Sequence, residues 1–282
     1  MKILSSNEVD RKTLFMRSPE SANVGETVAR IIKDVAENGD AALFSYAKKF
    51  DRAELTKLEV TATEMDAAFG ATPAGLKNAM RAAAENIRAF HKEQMRQGFR
   101  IRRPDGSYLG QKITPIEKVG LYIPGGTASY PSTVLMNAIP AKLAGCGEIV
   151  MISPPSPDGS IAAPVLAAAR IAGVDRVFKS GGAQAIAALA YGTATVPRVD
   201  KIVGPGNAYV AEAKRQVFGR VAIDMIAGPS EILIVADETC EPAFVAADLL
   251  SQAEHDALAS AVLITNSRLL AEAVNAEVER RL

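Results

Sequence analysis

The segment "SQAEHD" at residues 251–256 places an amide and an imidazole, Gln252 and His255, three positions apart. Side chains at this spacing share one face of a helix. The chain has 2 histidines, and the other one, His91 in "RAFHKEQ", is predicted to be a solvated residue on a helix surface. By itself a Gln-x-x-His pair is typical of a helix surface, because zinc normally takes more nitrogen, sulfur or carboxylate ligands.

The 2 cysteines suggest a different chemistry. Oxidation of an aldehyde can proceed through a cysteine thiohemiacetal. Cys146, in "LAGCGEIV", lies where a helix ends and a strand begins, and a helix C-terminus does not stabilise a thiolate. Cys240, in "ADETCEPAF", precedes a helix and is better placed, although a structural cysteine in a loop or core is the commoner case. An aldehyde or acyl-phosphate reductase that uses Cys240 therefore stays open as a hypothesis.

Several turns are rich in glycine and follow strand-like runs: "YIPGG", "KSGGAQ", "VGPGNA" and "IAGPSE". Glycine lets a backbone approach a ligand closely, and the helix that follows offers amide groups to an anion. In a parallel sheet such turns meet at the carboxyl edge of the strands, where ligands bind. None of the turns is a G-x-G-x-x-G fingerprint, so the sequence does not support a standard Rossmann nucleotide site.

The elements that would carry these turns alternate from residue 119 onward. Short β-like runs ("VGLYI", "GEIVMIS", "DRVFKS", "DKIVG", "VAIDMI") are separated by helices predicted to begin near Pro131, Ile161, Ala183 and Ala208. Two further units follow, "EILIVAD" with the helix that ends in "SQAEHD", and "AVLITN" with a last helix to Leu282. This alternation predicts an α/β fold with parallel strands and helices on both faces.

The first hundred residues are predicted to be mainly helical. In "GETVARIIKDVAENGD" the apolar residues recur at helical spacing, and Gly39 is a plausible C-cap. A second helix is predicted in "DAALFSYAKKFD". A longer one begins near Pro73, with Leu76, Met80, Ile87 and Phe90 along one stripe. The segment after it alternates around a Pro104-Asp105-Gly106 turn, which predicts a β-hairpin.

Composition excludes some classes of partner. The chain has 282 residues, 48% of them hydrophobic, with 32 basic and 32 acidic residues. This balance gives no field that would attract nucleic acid or an anionic membrane. No apolar run reaches the ~20 residues of a membrane span, and the N-terminus lacks the apolar core of a secretory signal. Two cysteines without a disulfide framework favour a reduced, cytoplasmic setting.

The run "IDMIAGPSEILIVADETCEPAFVAADLLSQAEHD" closely resembles the signature of the histidinol dehydrogenases. The blocks "GLYIPGGTASYPSTVLMNAIPAKLAG", "SGGAQAIAALAYGT" and "VGPGNAYVAEAKRQVFG" resemble the same family in the same order. The resemblance implies oxidation of L-histidinol to L-histidine in two NAD-dependent steps through an aldehyde, with one zinc ion per site. It also implies a cytoplasmic homodimer.

The resemblance also implies roles for particular residues. Gln252 and His255 match zinc ligands that help to bind the substrate, and their spacing lets an amide oxygen and a ring nitrogen meet at one ion. Ser230 matches a residue that contacts the substrate. Tyr122, Gln184 and Asn207 match positions that contact NAD.

The family fold has two Rossmann-like α/β domains, one inserted in the other. On that pattern we expect residues 1–121 to form the N-terminal helical part and hairpin of the first domain. Residues 122–230 would form the inserted domain, and residues 231–282 would continue the first. The sheet of the first domain would then be incomplete, with an unpaired edge and exposed apolar surface.

The sequence departs from the family pattern after Leu282. The family's Glu-His pair, which acts as general acid and base, has no match in this chain, and neither does a further zinc-binding aspartate. Each oxidation needs a positioned base, so we expect no catalytic residue here and little activity from this polypeptide alone. The alternative is a non-catalytic remnant that folds and binds at most a dinucleotide or a partner chain.

Overall fold

The computed structural model describes residues 2–5, 7, 24–125, 129–226, 231–254 and 259–282. Contacts divide the chain into two compact units. The larger comprises Ala22–Ile226, and the smaller comprises Ala227–Leu282 with Met1–Ser21. The chain therefore divides within the glycine-rich segment that follows the last strand of the larger unit.

The larger unit alternates strands and helices in the order that the sequence predicts. Its helices are α1 (Gly25–Asn38), α2 (Asp40–Tyr46), α3 (Ala62–Ala71), α4 (Ala74–Lys92), α5 (Pro131–Leu143), α6 (Ala163–Ala172), α7 (Gly182–Tyr191) and α8 (Ala208–Val217). A π-helical turn, Ala47–Asp51, continues α2. Its strands are β1 (Phe99–Arg102), β2 (Tyr108–Gln111), β3 (Lys118–Tyr122), β4 (Glu148–Ser153), β5 (Arg176–Lys179), β6 (Lys201–Val203) and β7 (Ala222–Ile223).

Five parallel strands form the main sheet in the order β5-β4-β3-β6-β7. The chain builds outward from β3 to β5 and then returns to the other side of β3 with β6. In open α/β sheets the crevice at such a reversal, outside the carboxyl ends of the strands, is the usual ligand site. This sheet confirms the predicted α/β class. Its strand order makes the crevice between β3 and β6 the candidate ligand site.

Helices cover both faces of this sheet because its strands are apolar on both sides. On one face α1, α2, α7 and α8 share a core cluster that includes Leu43, Tyr122, Ile186 and Val210. On the other face α4, α5 and α6 share a second cluster that includes Met80 and Leu135. Tyr122 thus points its ring toward the face that α7 and α8 cover.

Residues 58–60 shield the outer edge of β5. The amide of Val60 donates to the carbonyl of Val177 at 2.9 Å, and the amide of Lys179 donates to the carbonyl of Leu58 at 2.7 Å. Glu59 lies opposite Phe178 in this antiparallel bridge. Edge strands left unpaired invite association with other chains, so this pairing protects the sheet.

The N-terminal helices pack on the larger sheet. Helix α1 contacts α7 and α8, and α4 contacts α5 and α6. The sequence-based division, which joins residues 1–121 to residues 231–282, stays a prediction. An apolar helical stripe shows that a helix has a buried face, but it does not identify the surface that covers that face.

Three local predictions had different outcomes. The hairpin is confirmed, since β1 and β2 pair antiparallel around the predicted turn. The apolar stripe of α4 is wrong at its ends, because Leu76 is 37% exposed and Phe90 is 68% exposed. His91, predicted to be solvated, is half-buried, and its Nδ1 lies 2.6 Å from Oε1 of Gln94.

The smaller unit consists of β8 (Ile232–Ala236), α9 (Pro242–Ala253), β9 (Ala261–Thr265) and α10 (Arg268–Arg281). Strands β8 and β9 pair in parallel and form a sheet of two strands. One face of this sheet packs against α9 and α10. The other face exposes Leu233, Val235 and Ile264, which agrees with the predicted incomplete second sheet.

Within the described ranges, no helix combines the length and apolar character that crossing a membrane requires.

Candidate functional site

Tyr122 ends β3 at the point where the strand order reverses. Its side chain is buried, and its hydroxyl oxygen accepts a hydrogen bond from the amide of Gly182 at 3.1 Å. Burial raises the pKa of the Tyr122 phenol to about 12, with a further contribution from the negative charge of Asp51. The phenol is therefore neutral at physiological pH, where it can position a ligand or α7 but cannot act as a base.

The turn that follows β6 lies directly beside β3. Gly204 has φ 114°, and a Cβ atom at this position would lie 2.1 Å from the carbonyl oxygen of Tyr122. Only glycine tolerates both this conformation and this approach. The "VGPGNA" turn can therefore reach the backbone of β3 because Gly204 has no side chain.

An ion pair between a buried lysine and a partly exposed aspartate fixes the same turn. The ammonium group of Lys214, which is 2% exposed, pairs with Oδ1 of Asp224 and donates to the carbonyl of Gly204 at 3.0 Å. The other carboxylate oxygen of Asp224 accepts from the amide of Gly204 at 2.8 Å. Both backbone groups of Gly204 are thus held by one Lys–Asp pair, in which Asp224 compensates the buried charge of Lys214.

Asn207 caps α8 at the end of this turn. Its side-chain oxygen accepts hydrogen bonds from the amides of Tyr209 and Val210 at 3.1 and 3.2 Å. These bonds satisfy two of the free amides at the N-terminus of the helix. Asn207, which the sequence predicts to contact the cofactor, therefore lies at the carboxyl edge of β6, with its side-chain oxygen engaged in the cap.

Gln184 lies in the first turn of α7 and is buried, with 2% exposure. The turn before it packs tightly against the loop after β4, since a Cβ atom on Gly181 would lie 2.6 Å from Cβ of Pro154. Gly125, after β3, packs against the same proline, where an added Cβ would lie 2.8 Å from Cγ. The structure thus brings the turns after β3, β4 and β5 together.

Asp51 is an additional polar residue on this side of the sheet. It ends the π-helical turn and is followed by Arg52, which has φ 58°. Its Oδ2 atom is buried and accepts no hydrogen bond from any residue within the described ranges. Desolvation raises the pKa of its carboxyl group to about 6.

The sequence-predicted metal ligands are only partly described. Gln252 lies in the last turn of α9, where its Nε2 atom is buried without a hydrogen-bond partner among the described residues. His255 and Ser230 lie outside the described residues. No group of three or more His, Cys, Asp or Glu side chains in the described part of the chain could hold a metal ion. The described residues alone therefore do not fit a zinc site.

The cysteines offer no activated nucleophile on the larger sheet. Burial raises the pKa of the Cys146 thiol, which disfavours the reactive thiolate. Cys146 also lies before β4, at the edge opposite the glycine-rich turns. Cys240 is partly buried against the core of the smaller unit, just before α9.

Three residues of this region were not identified from the sequence: Asp51, Lys214 and Asp224. Lys214 and Asp224 lie on a helix and in the loop after a strand, and no periodicity connects them. Asp51 follows "AKKF", a segment predicted to be ordinary helix. A lysine on the apolar face of a helix, as Lys214 is beside Val210, Ala213 and Val217 of α8, is the one pattern that could have indicated an ion pair at the core.

The chain is similar to proteins of one enzyme family. Residues 16–282 match the family model described as histidinol dehydrogenase. Histidinol dehydrogenase of Geobacillus kaustophilus is 59% identical over 255 residues, which cover 90% of this chain and 60% of that protein. Histidinol dehydrogenase of Clostridium acetobutylicum is 48% identical, with 99% of this chain and 66% of that protein covered.

A crystal structure of histidinol dehydrogenase from Elizabethkingia anophelis has the same fold, with a TM-score of 0.90 and 42% identity. The match covers 96% of this chain and 63% of that one. The chain thus spans about 60–66% of the length of the two curated relatives named here.

Proposed function

Because this chain belongs to the histidinol dehydrogenase family, we propose that it is part of an enzyme that oxidises L-histidinol to L-histidine in two NAD-dependent steps. The observation that carries the proposal is the convergence of glycine-rich turns at one reversal of a parallel sheet. Tyr122, Gly182 and Gly204 meet there through short contacts. An α/β sheet with this topology binds its ligand at that edge.

Tyr122, Gln184 and Asn207 are the residues that we assign to NAD. Tyr122 is a neutral phenol that positions the start of α7, and Gln184 and Asn207 lie in the first turns of α7 and α8. Helix N-termini with free amides favour a pyrophosphate. Bound there, NAD would supply the hydride acceptor for each of the two oxidations, with one NAD consumed per step and water added to the aldehyde before the second hydride leaves.

The roles of the other family positions stay predictions. We propose that Gln252 and His255 are ligands of a divalent cation, zinc in the family, and that Ser230 contacts L-histidinol. The described residues do not complete such a metal site, so we derive no step of the reaction through the metal. We also propose a homodimer in the cytoplasm and the domain boundaries at residues 121/122 and 230/231.

The roles assigned to this chain are binding and positioning, and none of its residues is assigned proton transfer. We therefore expect the purified 282-residue chain to bind NAD in isothermal titration calorimetry and to produce little NADH from L-histidinol. NADH production at a rate typical of enzymes would contradict the second expectation.

Two substitutions test the cofactor site. Gln184→Ala and Asn207→Ala should each weaken NAD binding by about tenfold, which is the usual effect of one lost polar contact. Asn78→Ala, on the exposed side of α4, is the matched control and should bind as the unmodified chain does. Equal affinity in all four proteins would contradict the proposed site.

A further inference from the structure

Asp51 has a buried carboxylate oxygen that the fold does not use. No residue in the described ranges donates a hydrogen bond to its Oδ2 atom, and the salt bridges among those residues do not include Asp51. Nearly all buried polar atoms in folded proteins have a partner, and an exception calls for an explanation such as a missing ligand. Burial raises the pKa of this carboxyl group to about 6, so it is charged at neutral pH despite the lack of a partner.

The backbone around Asp51 is unusual on both sides. The residue ends the π-helical turn Ala47–Asp51, and Arg52 after it has the left-handed φ of 58°. Isolated π-turns occur frequently at functional sites. A left-handed non-glycine residue persists when the surrounding structure imposes it, and such residues cluster at ligand sites. The chain therefore holds the Asp51 carboxylate in a position that ordinary helical geometry would not give.

The position of Asp51 connects it to Tyr122. Helix α2, which leads into the π-turn, contacts α7, and Leu43 of α2 packs in the same core cluster as Tyr122. Burial is the main cause of the raised pKa of Tyr122, and the negative charge of Asp51 adds to it. Asp51 therefore lies on the side of the sheet that carries the Tyr122 ring, near enough for its charge to act on the phenol at the end of β3.

We propose that Asp51 binds the dinucleotide, with Oδ2 accepting a hydrogen bond from a ribose hydroxyl. This inference rests on the proposed function and extends it to a residue that neither the sequence motifs nor the comparisons assign. A carboxylate accepts hydrogen bonds and repels phosphate, so the pyrophosphate is expected at the helix N-termini instead. The ribose hydroxyls are the donors of a dinucleotide that suit such an acceptor.

The test compares three proteins: the unmodified chain, Asp51→Asn and Glu37→Gln. Glu37 is an exposed carboxylate on α1, paired with Lys33 at 3.9 Å, and it controls for the loss of one negative charge. NAD and L-histidinol affinities are measured by calorimetry, and the melting temperature of each ligand-free protein is measured by circular dichroism. We expect Asp51→Asn to weaken NAD binding by about 10- to 100-fold, the range for a hydrogen bond to a charged group.

The ligand-free Asp51→Asn protein should melt at the same or a higher temperature, because the change removes an unpaired buried charge. A lower melting temperature would show a structural role and overturn the inference, as would a loss of L-histidinol binding with NAD binding retained. Unchanged NAD affinity in Asp51→Asn, while the unmodified chain binds NAD, overturns the inference alone. Absence of NAD binding by the unmodified chain overturns both the inference and the proposed cofactor site.

Discussion

The hydroxyl oxygen of Tyr122 accepts a hydrogen bond from the amide of Gly182 at 3.1 Å, although 60 positions separate the two residues. This bond joins the end of β3 to the first turn of α7 and spans β4, which lies between β3 and β5 in the sheet. Tyr122 therefore belongs to the framework that shapes the glycine-rich turns. Its effect on ligand binding and its effect on stability are separable by experiment.

Tyr122→Phe removes the acceptor but keeps the ring in the core. The amide of Gly182 then loses its partner, and the free energy of unfolding should fall by about 1–3 kcal/mol, the cost of an unsatisfied buried donor. Denaturation with urea measures this change. Tyr108→Phe, in the exposed hairpin strand β2, is the control and should change the stability by less than about 0.5 kcal/mol. Equal stability of the two variants would contradict a role for the Tyr122–Gly182 bond.

Removal of one partner of the Lys214–Asp224 pair should lower the stability of the chain. Lys214→Met leaves the carbonyl of Gly204 and the partly exposed carboxylate of Asp224 without their cation, so we expect a loss of about 1–3 kcal/mol. Lys214→Met combined with Asp224→Asn should recover part of this loss, because the unpaired charge is then absent. Lys33→Met breaks an exposed pair and should change stability by less than about 1 kcal/mol. Additive effects in the double variant would contradict the coupling of the two residues.

Much of the fold followed from hydrophobic patterning. The alternation of apolar runs and helices after residue 119 predicted the strands of the main sheet, and the hairpin followed from its turn residues. The α3 helix was not predicted, although its capping box, in which Thr61 and Glu64 bond reciprocally, is a signal that the sequence displays. Local patterns were sufficient for these elements because each depends on neighbours in the sequence.

The partner surface of the N-terminal helices was not predictable in the same way. Val28, Ile31 and Val35 define the buried face of α1, yet their spacing is equally compatible with either sheet. The polar contacts of the site were not predictable from the sequence either. Lys214 and Asp224 meet only because β7 returns beside β6, and the π-turn that orients Asp51 depends on packing rather than on residue type. Ser230 and His255 lie outside the described residues and stay predictions.

Gly204→Ala should destabilise the larger unit. The added methyl group would lie 2.1 Å from the carbonyl oxygen of Tyr122, and φ 114° is unfavourable for alanine. We expect a loss of at least about 1–3 kcal/mol, together with weaker NAD binding, because the turn must move away from β3. Gly70→Ala in α3 is the control, since nothing lies within 4 Å of the added atom. It should raise the stability by about 0.5–1 kcal/mol because alanine is the better helix former.

The stability of the ligand-free chain should depend on pH through Asp51. The pKa of this carboxyl group is about 6 in the folded chain and 3.8 as the reference value. Between these values the folded state binds more protons than the unfolded state, so the free energy of unfolding falls as the pH rises. The nearby Tyr122 phenol, with a pKa of about 12, stays neutral throughout this window.

Asp51→Asn removes the titrating carboxyl group. The difference in stability between this variant and the unmodified chain therefore reports the contribution of Asp51 alone. The variant should gain stability relative to the unmodified chain as the pH rises from about 4 to about 7, with most of the gain complete above pH 6. Urea denaturation of both proteins at pH 4.5, 6 and 7.5 measures the difference. Glu37→Gln, which also removes one carboxylate, is the control for the change in charge. If the difference in stability between the two proteins is constant with pH, the Asp51 carboxyl group titrates normally. In that case burial of its oxygen does not lower the stability of the ligand-free chain, and a ligand would have no unfavourable burial to relieve.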